Sequence, residues 1–218
     1  MIRLLPLIKQ KKHIIFDYNG TILYDTDVCV EVLNLLLDSH GRPPVNEAYY
    51  REHFHFPISS FYTKMGFDFE RESFDQLGRR YMNIYLDNIH RCKVYHGLRD
   101  LIRELRQDQD TKKISILTAL NHDALLAQLK SFDLEQYFDA TFGLYDHHAL
   151  SKVQRGHDLM KHVGIPAEDT IIIGDTDHDL EVAQSLGIDA ILLGDGHQNE
   201  ERLKKTKAKV VNLNRQTE

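Results

Sequence analysis

The sequence is poor in cysteine, has no tryptophan and contains no long apolar run. Its two cysteines, Cys29 and Cys92, lie neither in a CxxC pair nor in the spacing of a metal site. This sparse cysteine content favours a reducing compartment inside the cell, although a single disulfide between the two stays open. No stretch approaches the roughly 18 apolar residues of a membrane-spanning helix, so the sequence predicts no membrane partner.

Positive charge is also scarce, because 27 lysines and arginines face 33 aspartates and glutamates, which gives a formal net charge of -6. Nucleic acids and anionic membranes usually need a basic protein surface. The sequence therefore predicts neither as the main partner, and an anionic substrate would need a local source of positive charge. The apolar segment 2–8 is too short, and too soon followed by lysines, for a signal peptide, so we expect a cytoplasmic protein.

Five short apolar runs, rich in β-branched residues, alternate with helical patterns along most of the chain. This alternation implies strands that pair in parallel through right-handed crossovers. The sequence therefore predicts an α/β fold with a Rossmann-like, doubly wound parallel sheet. The predicted strands are 13–17, 113–118, 140–143, 170–174 and 190–193.

The segment 25–96 departs from this alternation because it is almost entirely helical in pattern. We interpret it as an all-helical cap domain inserted into a catalytic core made of residues 1–24 and 97–218. The other interpretation is that these helices only cover one face of the sheet. The helical patterns of the segment lie at 28–39, 57–66 and 70–89.

Polar side chains follow three of the predicted strands. Asp17 ends the first, Thr118 ends the second, and the fourth runs into the acidic segment 174–179. In open α/β sheets, ligands bind beyond the carboxyl ends of the strands. Each residue alone is typical of a helix cap or a turn. Together they place several carboxylates at one rim, where their repulsion favours a bound cation, and an oxygen-rich site suits Mg²⁺.

Lys152 is the candidate source of positive charge. It follows Ser151 at an expected helix N-terminus, where the helix dipole disfavours a cation. A lone lysine is usually a solvated surface residue, but an unfavourable local placement is also a weak indication of function.

Asp17, Thr118, Lys152 and Asp175 with Asp179, in this order and each in its own α/β context, resemble the four motifs of the haloacid dehalogenase superfamily. The resemblance covers nearly the whole chain, and the helical insert matches the cap of the phosphatase-like branch. The chain is closest in pattern to the phosphoglycolate-phosphatase-like members of that superfamily. The segments that carry this closer resemblance are 55–57, 64–68, 143–148 and 196–198.

The resemblance implies a Mg²⁺ site and a covalent mechanism. Asp17 would be the nucleophile that forms an aspartyl-phosphate, and it would also bind the metal. The backbone carbonyl of Asn19 and the carboxylate of Asp175 would be the other protein ligands. Asp179 would orient Lys152 or a metal-bound water.

The same resemblance implies a phosphate site beside the metal. Thr118, with the backbone amides near Gly20 and Ala119, would hold the phosphate oxygens. Lys152 would neutralise the nucleophile and the transferring phosphoryl group. Phosphoryl transfer depends mostly on such positioning and charge stabilisation.

Asn19 is a departure from the family pattern, which usually has an aspartate here as the acid and base. An amide cannot exchange a proton in this way, and losing a positioned acid or base costs ~10²–10⁴ in rate. Three outcomes are open. An imidazole from the cap or Tyr18 relays the proton, the substrate has a good leaving group such as an acyl phosphate, or the protein binds phosphate ligands and turns them over slowly.

The resemblance thus predicts a Mg²⁺-dependent phosphatase that hydrolyses a small, phosphoglycolate-like phosphomonoester. The alternative is a phosphate-ligand-binding or regulatory protein whose catalysis is impaired by Asn19. In either case the expected partner is a small phosphorylated metabolite, with no nucleic acid and no membrane involved. The expected oligomeric state is a monomer or a homodimer.

Overall fold

The computed structural model describes residues 2–107, 112–145 and 152–213. Ser151 and the end of the predicted segment 143–148 lie outside the described residues. Within these ranges the chain forms eight strands, six of them in one sheet. In chain order they are β1 (His13–Phe16), β2 (Leu23–Tyr24), β3 (Lys93–Val94), β4 (Lys113–Asn121), β5 (Ala140–Leu144), β6 (Thr170–Gly174), β7 (Asp189–Leu193) and β8 (Lys209–Val211).

The large sheet has the order β5-β4-β1-β6-β7-β8, and every strand pair in it is parallel. In its middle, Ile14 of β1 pairs with Ile114 of β4 on one side and with Ile171 of β6 on the other. β1 and β6 are buried along their whole length, and β4 is buried through its middle, because helices cover both faces of the sheet. The predicted parallel α/β sheet is therefore confirmed, and β8 is a strand that the sequence analysis missed.

Alternate residues of β1 point to opposite faces of the sheet and into two separate apolar clusters. Ile14 and Phe16 pack in one cluster with Leu101, whereas Ile15 packs in the other with Leu159. This division makes the sheet doubly wound. The helices outside the 25–96 segment are α1 (Leu5–Ile8), α6 (Leu98–Gln107), α7 (His122–Ser131), α8 (Lys152–Val163), α9 (Asp177–Leu186) and α10 (Glu200–Lys204).

Four helices form the predicted cap between the short strands β2 and β3. The strands β2 and β3 pair with each other antiparallel, and Leu23 lies opposite Val94. The range 25–96 is therefore not wholly helical, because it contains the strand β3 near its end. This strand pairs with β2, which lies just before the range begins. The exact domain boundaries stay a prediction. The four helices are α2 (Thr26–Ser39), α3 (Glu47–His53), α4 (Ile58–Lys64) and α5 (Phe74–Asn88).

None of the helices in the described ranges has both the length and the apolar character needed to span a bilayer.

Candidate active site

The sheet brings the predicted polar residues to one edge. Phe16 pairs with Ile116 and Ile173. Asp17, Thr118 and Asp175 come one or two residues after these three positions, so they lie at nearly the same level of the sheet. Asp17 is anchored there by its amide, which donates to the carbonyl of Ile173 at 2.8 Å. The sheet changes direction of winding between β1 and β6, and such a switch point is where α/β sheets form their ligand crevice. Asp17 and Asp175 flank it.

Lys152 joins two of the carboxylates. Its Nζ lies 2.6 Å from Oδ1 of Asp17 and 2.5 Å from Oδ1 of Asp179, and only 4% of its side chain is exposed. Burial alone would lower the pKa of this ammonium group, but the charges of Asp17 and Asp179 outweigh it and raise the pKa. Lys152 is therefore a fully charged, buried cation and not a solvated surface lysine.

Asp179 serves the local backbone as well as Lys152. Its Oδ2 accepts hydrogen bonds from the amide of Asp175 (3.2 Å), the amide of Thr176 (3.0 Å) and the hydroxyl of Thr176 (2.7 Å). Thr176 and Asp179 form a capping box at the start of α9. Burial acts to raise the pKa of Asp179, but Lys152 and these donors outweigh it and lower the pKa. Both oxygens of Asp179 are thus engaged, which fits an orienting residue better than a metal ligand.

Asp175 and Asp17 are less well compensated. Asp175 is fully buried and accepts from the amide of His197 at 2.5 Å and from the hydroxyl of Thr21 at 3.2 Å. Burial raises the pKa of Asp175, and the charges of Asp17 and Asp179 add to the effect. Burial also raises the pKa of Asp17, against the opposing charge of Lys152. Without a further cation, burial disfavours the ionised form of both carboxylates.

These residues fit a magnesium ion. Ligand oxygens of Asp17, Asp175 and Asp179 all lie within 4.8 Å of one another. Hard carboxylate and carbonyl oxygens are the donors that Mg²⁺ prefers. The close approach of these three buried carboxylates, two of which contact Lys152, is the observation that calls for a further cation. The raised pKa values of Asp17 and Asp175, caused by burial and by the neighbouring carboxylates, agree with it.

The side chain of Asn19 faces a buried carboxylate that the sequence analysis took only as the start of the cap. Its Nδ2 donates to Oδ2 of Asp25 at 2.8 Å and to the hydroxyl of Tyr85 at 2.9 Å. Tyr85 in turn donates to Oδ2 of Asp25 at 2.8 Å. The position therefore demands a donor, and the amide of Asn19 supplies one.

His197 completes this second polar cluster. Its Nε2 lies 3.1 Å from Oδ1 of Asp25, and its Nδ1 lies 3.0 Å from the hydroxyl of Tyr50. Burial would lower the pKa of His197, but the charge of Asp25 outweighs it and raises the pKa to about 9. Asp25, Cys29 and His197 are also close enough for a metal ion. Their donor atoms are already satisfied by hydrogen bonds within the cluster, so we interpret it as a hydrogen-bonded network.

Within the described residues, no hydrogen bond links Asn19 to Tyr18 or to a histidine of the cap, the two proton relays considered from the sequence. The hydroxyl of Tyr18 is buried and has no hydrogen-bond partner within the described part of the chain. The imidazole that contacts the Asn19 cluster, that of His197, comes from the loop after β7 and not from the cap. In the sequence analysis, His197 appeared only as part of the segment 196–198, one of those that carry the closer family resemblance, and no role was predicted for it. Asp25, Tyr50 and Tyr85 were missed because nothing local marks side chains that meet across such long separations.

The predicted phosphate-binding groups are only partly accounted for. Thr118 is buried within the second half of β4, and its hydroxyl accepts from the amide of Leu120 at 3.1 Å. The pairing of β4 with β5 shifts register between Leu117 and Asn121, so the ladder is interrupted at Ala119. The amide of Gly20 donates to the carbonyl of Leu23 and to Asp25. It would have to exchange these partners before it could hold a phosphate oxygen.

Comparison with known proteins places this geometry in a family. The model of the family described as haloacid dehalogenase-like hydrolase matches residues 14–193. The curated protein named "Putative pyrophosphatase PpaX", from Caldanaerobacter subterraneus subsp. tengcongensis, is 22% identical over 184 residues, which are 82% of this chain and 79% of that protein.

Solved structures share the fold over almost the full length. A haloacid dehalogenase-like hydrolase from Streptococcus pneumoniae superposes with a TM-score of 0.79 at 19% identity, covering 94% of each chain. A predicted phosphoglycolate phosphatase from Haemophilus somnus superposes with a TM-score of 0.73 at 16% identity, covering 92% of this chain and 93% of that one. At these identities the likeness establishes the fold alone. The family match over 14–193, however, means that the chain belongs to the haloacid dehalogenase-like hydrolases and is an enzyme of that family.

Proposed function

We propose that this enzyme is a Mg²⁺-dependent phosphatase that hydrolyses a small phosphate ester through an aspartyl-phosphate on Asp17. The observation that carries the proposal is the buried contact of Lys152 with both Asp17 and Asp179, beside Asp175. A charged lysine beside a carboxylate at a ligand crevice offsets the negative charge of the nucleophile. It therefore also attracts an anionic substrate.

In this proposal Asp17, Asp175 and the backbone carbonyl of Asn19 hold the ion. When bound, Mg²⁺ supplies positive charge to the phosphoryl oxygens and relieves the repulsion between the carboxylates. The charge balance supports a divalent ion. Among the residues that the structure describes, Asp17, Asp25, Asp175 and Asp179 are in contact with two cations, Lys152 and His197. These six groups therefore carry two negative charges in excess when all are ionised.

The chain's own residues supply the two halves of the reaction. An oxygen of Asp17 forms a bond to phosphorus while the bond from phosphorus to the ester oxygen breaks, and the leaving group departs with that electron pair. Water then attacks phosphorus, and the bond to Asp17 breaks with its electron pair returning to the carboxylate. Hydrogen phosphate leaves with one proton of that water, and the other proton passes to solvent. Lys152 holds its proton throughout and stabilises charge on the transferring group, while Asp179 keeps Lys152 in place. Splitting hydrolysis in this way eases each half.

Asn19 bears on which substrates are turned over quickly. Its amide has no group that gains or loses a proton near neutral pH, so it cannot act as a general acid or base. Its hydrogen bonds to Asp25 and Tyr85 hold it in place. Substrates whose leaving group needs little protonation, such as acyl phosphates or pyrophosphate, therefore suit this site better than alkyl phosphates. The curated relative is named as a pyrophosphatase, which agrees with this preference. A structural neighbour is named as a predicted phosphoglycolate phosphatase, which favours an alkyl phosphate instead.

The second candidate function is a protein that binds phosphate ligands, or regulates through them, with little turnover. The observation in its favour is the same fixed amide at position 19. Both candidates use the phosphate site, so binding alone does not separate them. The cytoplasmic location, the small-metabolite partner and the monomeric or dimeric state stay predictions under both.

Phosphate release separates the two candidates. The panel is acetyl phosphate, pyrophosphate, phenyl phosphate and phosphoglycolate, each with and without Mg²⁺, beside Asp17→Asn. We expect release that requires Mg²⁺, disappears in Asp17→Asn, and is fastest for acetyl phosphate and pyrophosphate. Release that is absent, or equal in the variant, would reject the phosphatase, and tight binding of phosphate would then favour the second candidate.

A further inference from the structure

The main-chain amide of His197 sets the direction of the Asp175 carboxylate. It donates to Oδ2 at 2.5 Å, while Thr21 reaches Oδ1 at the longer distance of 3.2 Å. The loop that carries His197 packs directly on this carboxylate, because a Cβ added to Gly196 would overlap Asp175. A shift of the loop at His197 would therefore turn or release the carboxylate.

The ring of His197 is held at both nitrogens by the inserted helical segment. As an imidazolium it donates from Nδ1 to the hydroxyl of Tyr50 in α3 and from Nε2 to Asp25, just before α2. The ring is almost fully buried. Its position therefore depends on the docking of α2 and α3 onto the core.

The same loop is held by the cap on either side of His197. Arg51 of α3 donates from Nε to the carbonyl of Gly196 at 2.7 Å and from Nη2 to that of Gly194 at 2.6 Å. On the other side, Nε2 of Gln198 donates to the carbonyl of Phe54 at 3.1 Å. The cap therefore holds the loop at three points around the amide that contacts Asp175, two through backbone carbonyls and one through the side chain of Gln198.

Asp25 ties this loop to the loop of the nucleophile. Its Oδ1, which contacts His197, also accepts from the amide of Gly20 at 3.0 Å, and its Oδ2 accepts from Asn19. A single buried carboxylate thus connects the segment after Asp17 with the segment that orients Asp175. The two ligands proposed for Mg²⁺ are set relative to each other through it.

We propose that His197 is a positioning residue for Asp175 and that Tyr50 holds it in that role, so that the Mg²⁺ site is complete only while α3 is docked. The inference rests on the proposed function, because it assumes that Asp175 binds Mg²⁺. Hydrogen-bond partners behind a metal ligand fix its orientation, and their loss typically weakens metal binding by about 10–100-fold. The competing interpretation is that Tyr50 and His197 only stabilise the contact between the cap and the core.

Titration calorimetry of Mg²⁺ into the full chain tests the proposal without relying on activity. His197→Ala removes the ring but keeps the amide, and Tyr50→Phe removes only the hydroxyl. We expect the Kd for Mg²⁺ to rise at least about tenfold in His197→Ala and less in Tyr50→Phe. The control is Arg91→Met, which breaks an exposed ion pair with Glu31 inside the helical segment and should leave the Kd unchanged.

A double variant tests whether Tyr50 acts through His197. If it does, Tyr50→Phe added to His197→Ala causes no further loss of Mg²⁺ affinity. Additive losses would overturn the role of Tyr50. Should His197→Ala fail to fold, Tyr50→Phe decides alone, and a folded Tyr50→Phe with the wild-type Kd overturns the proposal.

The outcomes separate this proposal from the proposed function. Wild-type binding of Mg²⁺ with the wild-type Kd in both folded variants overturns the positioning role and leaves the phosphatase standing. Binding that the variants weaken, in a protein that releases no phosphate, supports the positioning role and rejects the phosphatase. A wild-type chain that does not bind Mg²⁺ overturns both. A further supporting sign is phosphate release by His197→Ala that recovers at high Mg²⁺.

Discussion

The amide nitrogen of Asn19 lies 2.8 Å from a carboxylate oxygen of Asp25, in the position where related phosphatases carry their acid and base. The fully buried Asp25 accepts this bond together with those from Tyr85 and His197. By the family pattern, Asn19 looks like the loss of a catalytic acid. In this structure it is instead a hydrogen-bond donor that the buried Asp25 requires. Its replacement by aspartate changes more than proton transfer.

Asn19→Asp should speed turnover of substrates with poor leaving groups but destabilise the fold. The introduced carboxyl sits against Asp25, so its pKa should be raised and part of it should be protonated near neutral pH, ready to donate to a leaving oxygen. Loss of the amide donor should cost about 1–3 kcal/mol. The measurements are phenyl phosphate hydrolysis and the free energy of unfolding in urea.

The loss of stability should grow as the pH rises. A carboxyl whose pKa is higher in the folded than in the unfolded chain contributes stability at low pH that disappears as the pH passes its folded pKa. Asn121→Asp is the matched control, because Asn121 caps α7 by accepting from Asp123 and Ala124, and aspartate does this equally well. Equal, pH-independent losses in the two variants would contradict the role given to Asn19.

Lys152→Met should abolish most of the activity and weaken the fold. It leaves Asp17 and Asp179 buried without their cation, and breaking a buried pair in this way typically costs about 3–5 kcal/mol. Phosphate release should fall by at least about 10²-fold, because a group that stabilises the transferring charge is lost. The assays are initial rates at saturating Mg²⁺ and urea unfolding.

The control for Lys152 lies on the same helix. Lys161→Met makes the same chemical change at an exposed position in the last turn of α8, and it should alter neither rate nor stability appreciably. Adding acid should rescue the stability of Lys152→Met in part, because protonation removes the two unpaired charges. If Lys152→Met were as active as Lys161→Met, Lys152 would have no role in the reaction, and the proposed phosphatase mechanism would be rejected.

The sequence was most informative where local pattern decides structure. The run before Asp17 and the run 170–174 each contain three consecutive large apolar residues, as expected of a strand that is covered on both faces. Both strands form as predicted. Motif order predicted Lys152 and Asp179 as site residues, and the structure brings their side chains into contact. The sequence analysis missed α3 and β8, because the patterns of these two elements are short and mixed in polarity.

The second polar cluster could not be predicted in the same way. Asp25 and His197 are 172 residues apart and meet only because the loop after β7 returns to the start of the cap. Asp25 also looks like an ordinary residue at a helix start, and its side chain makes no capping bond there. Hydrogen bonds between distant loops depend on tertiary packing, which a single sequence does not encode in any local pattern.

Mg²⁺ should stabilise the protein more at pH 8.5 than at pH 6, because pH 6 lies below the raised pKa values of both Asp175 and His197, whereas pH 8.5 lies above that of Asp175. The pKa of Asp175 is raised to about 8 and that of His197 to about 9. Groups with a raised folded pKa contribute stability that is present at low pH and lost as the pH rises through that pKa. The metal-free protein should therefore lose stability across this window.

Bound Mg²⁺ should offset the loss because it favours the ionised carboxylates, and its binding should release protons. Thermal unfolding with and without Mg²⁺ at the two pH values tests the first statement. Calorimetry in two buffers of different ionisation enthalpy tests the second. A shift in Tm by Mg²⁺ that is equal at both pH values, with no proton release, would contradict the assignment of Asp175 as a metal ligand.

Gly20→Ala should damage the metal site far more than its backbone strain alone explains. Gly20 and Gly164 share a φ of +71°, where a side chain typically costs about 1–2 kcal/mol. A Cβ at Gly164 meets nothing within 4 Å, whereas at Gly20 it would overlap Asp175 and come within 2.6 Å of the His197 ring. The two variants therefore carry the same strain and differ only in the contact with the site.

Gly164→Ala should thus lose a little stability and keep its Mg²⁺ affinity and phosphate release. Gly20→Ala should lose Mg²⁺ affinity by at least about tenfold, as expected when a metal ligand is displaced, and lose phosphate release with it. Circular dichroism and urea unfolding establish that both variants fold, and calorimetry measures Mg²⁺ binding. Two variants that bind Mg²⁺ equally well would mean that Asp175 does not hold the ion, because no other proposed ligand lies in the path of that Cβ.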